Sequence, residues 1–124
     1  MKFWDLSISA GDAIRANVTA FSLTSGIAIV ENLTTGQSES MSLSSTHPLC
    51  GQDAEWIVED FRLGDEHDIP FANFSTVTFT NAMATGVNGI SLTPEGGLIC
   101  DIQKNGQVLT SVSVDGSSLT VQHV

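Results

Sequence analysis

The run Ala54-Glu55-Trp56-Ile57-Val58-Glu59-Asp60-Phe61 sets two glutamates among residues that otherwise suit a β-strand. With a period of two, Glu55, Ile57, Glu59 and Phe61 share one side, and Ala54, Trp56, Val58 and Asp60 share the other. Both sides carry apolar bulk, so the pattern predicts at least partial cover on both. A carboxylate among such neighbours either finds a partner or has its proton affinity raised, because burial penalises the charged form. A carboxyl tuned in this way can exchange protons with a reacting group. A structural salt bridge or a carboxylate at a strand end gives the same spacing, and spacing alone leaves both readings open.

The other residues able to do chemistry are less organised. His47, His67 and His123 lack the spacing of a zinc site or of a catalytic triad. The Ser-rich stretches contain no nucleophile elbow, and no Gly-rich phosphate loop occurs. The cluster Asp65-Glu66-His67-Asp68 lacks the regular ligand spacing of a calcium loop and reads as a solvated acidic loop. No metal or cofactor is expected. Glu55 and Glu59 also invite comparison with a glycosidase pair. On a straight strand their Cα atoms lie about 13 Å apart, whereas a retaining pair needs carboxyls roughly 5–5.5 Å apart.

Short strands must position these groups. Alternating patterns predict strands over residues 3–9, 13–21, 27–33, 38–43, 54–61, 98–103, 107–114 and 119–124, with one or two more within 71–84. On the second of these, Ile14, Ala16, Val18 and Ala20 form an apolar face, and Arg15, Asn17 and Thr19 a solvated one. Thr34-Thr35-Gly36-Gln37, Asn105-Gly106 and Asp115-Gly116 read as hairpin turns, and residues 44–53 and 86–97 as loops. No segment shows a capped helical period. The expected class is all-β, an antiparallel β-sandwich or barrel, in a single domain covering 1–124.

Composition narrows the partners. Four basic residues stand against fourteen acidic ones, and a net charge of −10 excludes the basic footprint that nucleic acid or an anionic membrane requires. No apolar run of about 18 residues is present to span a membrane. An acidic chain sheds self-repulsion as its carboxylates protonate, so it tolerates acidic surroundings. Met1-Lys2-Phe3-Trp4-Asp5 carries no apolar leader core. Three sequons begin at Asn17, Asn32 and Asn73. Cys50 and Cys100 could bond to each other, stay free or pair outside the chain, and their settings differ: a turn-like stretch for Cys50, a strand-like run for Cys100.

The stretch from Leu49-Cys50-Gly51-Gln52-Asp53 through Phe61 resembles the fungal glutamic peptidases, the eqolisins of the scytalidoglutamic-peptidase and aspergillopepsin II type. Glu31-Asn32-Leu33-Thr34-Thr35-Gly36-Gln37, Pro70-Phe71-Ala72-Asn73-Phe74-Ser75 and the closing Ser113-Val114-Asp115-Gly116 carry the same resemblance, in order along nearly the whole chain. It implies a lectin- or glucanase-like sandwich of two large curved sheets, incomplete here relative to the family. It also implies secretion and endopeptidase activity at acid pH on protein or peptide substrates. By resemblance the catalytic glutamate is Glu59, a general base that activates water and returns the proton to the leaving amine. A carboxylate desolvated beside Ile57 and Phe61 suits that role. Glu55 is then a supporting residue.

The resemblance further implies a glutamine that stabilises the oxyanion, carried by an N-terminal half that this chain does not contain. Gln37, Gln52, Gln103, Gln107 and Gln122 do not match its motif. The relative's equivalent of Cys50 pairs with a cysteine of that N-terminal half, and Arg62 stands where the relative has an acidic residue. The chain alone is therefore expected to be inactive, with open strand edges that call for a separate N-terminal chain or for self-association. The alternative is a catalytically inactive β-sandwich relic, or a module that binds peptide or carbohydrate.

Overall fold

Alternating side chains become antiparallel ladders wherever a second backbone is within reach. The structure, a computed structural model, describes residues 5–60 and 71–124. Phe61, Arg62 and the acidic cluster with His67 lie outside the described residues. The chain divides into two compact units, Met1–Asp53 and Ala54–Val124. The all-β antiparallel class is as expected; among the described residues there is no helix and no closed barrel.

The first unit is a sheet of β1 (Ile14–Ser22), β2 (Ser25–Asn32) and β3 (Gln37–Ser44), in that order. Its register puts Ala16 opposite Val30 and Val18 opposite Ala28, with Ala28 opposite Met41 on the far side. The apolar face read for β1 crosses the sheet at Val18, Ala28 and Met41 and turns polar toward its other end, where Val30 lies opposite Glu39 and Ile14 opposite Asn32. Arg15 lies opposite Glu31 on the other face and pairs with it at 3.3 Å. Within the described structure the β1 side of the apolar face is open: Val18 is 72% exposed, and Phe21, at the end of β1, 69%. Gly26 is required where β2 passes close under β1, because a Cβ there would meet the Thr19 carbonyl oxygen at 2.5 Å.

One side chain organises the hairpin. Asn32 is fully buried, and every hydrogen-bonding function of its amide is used. Its Nδ2 donates to the Ser7 carbonyl at 3.0 Å and to Asp12 Oδ2 at 2.7 Å. Its Oδ1 accepts from the Thr34 and Thr35 amides at 3.0 and 3.1 Å. Asp12 Oδ2 also accepts from the Ser9 amide at 2.8 Å, and Leu33 N–H reaches the Ala13 carbonyl at 2.8 Å. Residues 5–9 consequently form no strand, contrary to the expectation for 3–9. Their backbone is committed to the Asn32–Asp12 pair and not to a neighbouring ladder.

The second unit holds a sheet of β4 (Thr76–Phe79), β10 (Ser118–His123) and β9 (Thr110–Asp115), with β10 central. Leu119 lies between Phe79 and Val114, and Val121 between Val77 and Val112. The reverse face is polar: Thr120 lies between Thr78 and Ser113. Leu119 and Val121, each 5% exposed, form the core with Ala82; Trp56, Val58, Phe74, Phe79, Val112 and Val114 pack against them. Phe71 stacks on His123 at 5.5 Å between centroids, with Phe74 edge-on to both.

Two short hairpins complete the unit. β5 (Ala84–Thr85) pairs with β6 (Ser91–Leu92), which lies inside what reads as a loop from 86 to 97. β7 (Gln103–Lys104) pairs with β8 (Gln107–Val108) around Asn105-Gly106, both at positive φ as a type I′ turn demands. At the final hairpin the turn is Gly116-Ser117, one residue beyond the expected Asp115-Gly116, with only Gly116 at positive φ.

Two expected strands change character. Residues 54–60 pair with no described strand, and 98–102 likewise. Period-two alternation follows from a one-sided apolar surface, whereas a ladder also needs free N–H and C=O groups alongside. At Ile102 those groups are taken by the Thr110 hydroxyl and by the Leu109 amide.

The Asn32 network makes the middle sequon structural. Asn32→Ala is expected to destabilise the protein by about 3 kcal/mol, since it strands several buried polar groups. Denaturant unfolding would measure this. Peptide mapping of protein from a glycosylating host should find no glycan on Asn32, whose amide nitrogen is buried and doubly bonded; Asn17 and Asn73 are exposed.

Candidate active site

Residues 54–60 lie on the second unit with their alternation intact. Trp56, Val58 and Asp60 are half-buried, and Glu55, Ile57 and Glu59 are exposed. Trp56 and Val58 pack against the Leu119–Val121 core, so the period of two turns the Glu59 side outward. The expected cover on both faces is thus found on one only. Ile57 is 53% exposed and Glu59 is solvated, which corrects the reading of Glu59 as desolvated beside Ile57. No described element is available to cover that face, and Phe61 lies outside the described residues.

Glu59 lines an open cleft of about 510 Å³ together with Ile57, Val58, Asp60, Cys100, Asp101 and Ile102. Glu55 is not among the lining residues. Three acidic residues therefore line one cleft, each held differently. Asp60, turned inward, faces Lys104 Nζ at 3.8 Å, with both side chains largely covered. Asp101 Oδ1 accepts from the Thr110 hydroxyl at 3.3 Å. Glu59 belongs to neither ion pair of the described residues. Asp60 and Asp101 escaped sequence reasoning. The signal for them was slight: Lys104 beside an Asn-Gly turn, and an acid following Cys100 in an apolar run.

The remaining candidates are dispersed. No three His, Cys, Asp or Glu side chains of the described residues converge as metal ligands. His47 Nδ1 contacts the Thr46 hydroxyl on the surface of the first unit, and His123 stacks on Phe71. Both cysteines are free and exposed; Cys100, in an unpaired segment and not in a strand, shares the cleft with Glu59. None of Gln37, Gln52, Gln103, Gln107 or Gln122 lines the cleft.

An exposed carboxylate in an open cleft is compatible with proton transfer to a bound molecule, and comparison with known proteins specifies the family. The sequence matches the Peptidase A4 family over residues 1–123. The chain belongs to the Peptidase A4 family. Among its A4 relatives, aspergillopepsin-2 of Aspergillus niger is 49% identical over 124 residues, covering 98% of this chain and 43% of that protein. Scytalidopepsin B of Scytalidium lignicola is 41% identical over 130 residues, covering 98% of this chain and 50% of that protein. The chain thus spans about half the length of these relatives. It superposes on the crystal structure of aspergilloglutamic peptidase from Aspergillus niger with a TM-score of 0.90, covering 98% of this chain and 72% of that one at 49% identity. Against scytalidoglutamic peptidase bound to a peptide-based transition-state analog the TM-score is 0.86 at 40% identity, covering 96% of this chain and 62% of that one. The A4 peptidase resemblance carried by residues 49–61 is thereby a family relationship covering nearly the whole chain.

The facing of the cleft segment has a direct test. Val58→Ala should lower stability by about 1–2 kcal/mol, because it removes methyl groups packed on the core. Ile57→Ala, next to it but outward, should stay within about 0.5 kcal/mol. Equal losses in thermal or denaturant unfolding would show that both faces are covered.

Proposed function

We propose that residues 1–124 form the Glu59-bearing part of a secreted glutamic endopeptidase that hydrolyses proteins or peptides at acid pH. In this reading the two units serve one peptidase domain. The observation that carries it is an outward-facing Glu59 carboxylate lining a cleft, in a chain whose family membership extends end to end.

Glu59 in its ionised form takes a proton from water as the water oxygen attacks the scissile carbonyl carbon. The carbonyl oxygen becomes the oxyanion of a tetrahedral intermediate. Glu59 then passes the proton to the amide nitrogen, the C–N bond breaks, and the carboxylate is restored. Solvent access suits a base that must deprotonate water, and the neighbouring Asp60 is occupied by Lys104. The net charge of −10 at pH 7 declines toward zero near the sequence pI of 4.2, so acid conditions relieve self-repulsion.

The intermediate also needs a hydrogen-bond donor aimed at the oxyanion. The absence of glutamine from the residues lining the cleft supports a donor supplied from outside residues 1–124. It equally favours the second reading, that these residues by themselves are catalytically silent. The exposed strand β1, with Ile14, Val18 and Phe21 uncovered, fits further polypeptide as its cover, either an N-terminal chain or a second copy.

Haemoglobin digestion between about pH 2 and 4 tests the assignment. Residues 1–124 alone should show little or no cleavage. In a peptidase that contains the chain together with its oxyanion donor, Glu59→Gln should lower kcat by roughly 10²–10⁴-fold, and Glu55→Gln should leave most activity in place. Activity that survives Glu59→Gln would remove Glu59 from the mechanism.

A further inference from the structure

Only two polar side chains of the described structure are fully buried, Asn32 and Thr110. Asn32 closes a hairpin in the first unit. Thr110 has a different place: it opens β9 on the apolar face of its sheet, opposite His123, and is 2% exposed. A hydroxyl there is tolerable only when paired, and it is used in both senses. Its oxygen accepts from the Ile102 amide at 2.7 Å, and its hydrogen goes to Asp101 Oδ1 at 3.3 Å. The Ile102 carbonyl in turn accepts from the Leu109 amide at 2.8 Å. Cys100, Asp101 and Ile102 belong to no strand, and these bonds tie Asp101 and Ile102 to the sheet. The same three residues line the cleft with Glu59.

We propose that Thr110 is a positioning residue of the cleft: its hydroxyl, acting through the Ile102 amide and the Asp101 carboxylate, sets the segment against which a peptide beside Glu59 is placed. This rests on the reading of Glu59 as the general base. Thr110 touches no substrate. It adds a second fastening to a rim that is otherwise joined to the sheet through the Leu109–Ile102 backbone bond, and precise placement of a reactant is worth large factors in rate. A threonine meets the requirement because its methyl fits the apolar face while its hydroxyl serves two bonds; the isosteric valine fits the space and serves neither.

The test uses the complete peptidase. Thr110→Val should lower kcat/KM by roughly ten- to a hundred-fold, mainly through KM, and should speed hydrogen exchange at the Ile102 amide. Thr110→Ser, which keeps the hydroxyl, should restore both. Asn32→Ala, whose network lies wholly within the first unit and includes no cleft-lining residue, serves as a destabilised control; at a temperature where it stays folded, its KM should be unchanged. If Thr110→Val does not fold, Asp101→Ala takes its place, since Asp101 is exposed and the Ile102 amide keeps its acceptor. A raised KM with kcat largely retained then supports the inference. Unchanged KM in the folded Thr110→Val or Asp101→Ala protein overturns it, as does unchanged Ile102 exchange in Thr110→Val. If Glu59→Gln stays active, the reading of Glu59 fails instead, and the Ile102 exchange measurement still decides whether the clamp exists.

Discussion

The direction in which Glu59 points is decided by Leu119 and Val121. These two side chains of β10 are the deepest apolar groups of the second unit, and Trp56 and Val58 are drawn onto their cluster. Once those two are seated, the alternation of an extended chain leaves Glu59 one direction. The apolar packing thereby orients a residue that contributes nothing to the core. The neighbouring Asp60 follows Val58 inward and meets Lys104, which separates two adjacent acids into a paired one and a solvated one. Two carboxylates next to each other in sequence thus acquire different surroundings from backbone geometry alone.

The two units solve the same problem of unpaired backbone in the same way. Residues 5–9 and 100–102 both run beside a sheet without joining it. Each is fastened by one buried polar side chain that presents donors or acceptors where a strand would have presented a ladder. Asn32 does this with an amide, which has enough functions to gather two turns at once. Thr110 does it with a single hydroxyl, enough for one short segment. Such side chains must be fully paired to be tolerated at that depth, and no buried side-chain polar atom of the described residues lacks a partner.

Local features were the legible ones. Asn105-Gly106 and the Gly36 turn are legible because positive φ is a property of a few residues, and the faces of β10 because burial on one side enforces alternation. The sequence over 54–61 showed two faces with apolar residues on each and held no information on which would be covered. That answer sits far along the chain, in Leu119 and Val121. Strand status over 54–60 and 98–102 was over-read for a related reason: propensity belongs to a segment, while pairing belongs to its neighbours. Glu59 itself was reached through the family pattern of residues 49–61. Thr110 gave no advance sign, because a threonine in an alternating strand looks the same whether or not its hydroxyl is the anchor for another segment.

The Asn32 network also has a bearing on time. All its side-chain partners lie within residues 7–35, so the network needs nothing synthesised later than the hairpin that contains it. A hairpin closes in about 1–10 μs, while synthesis adds roughly 5–20 residues per second. The bonds of the Asn32 amide can therefore form within a small fraction of the interval needed to add the next residue. Any enzyme that would modify this asparagine on the growing chain must act before the hairpin is complete, and the fold itself sets that deadline.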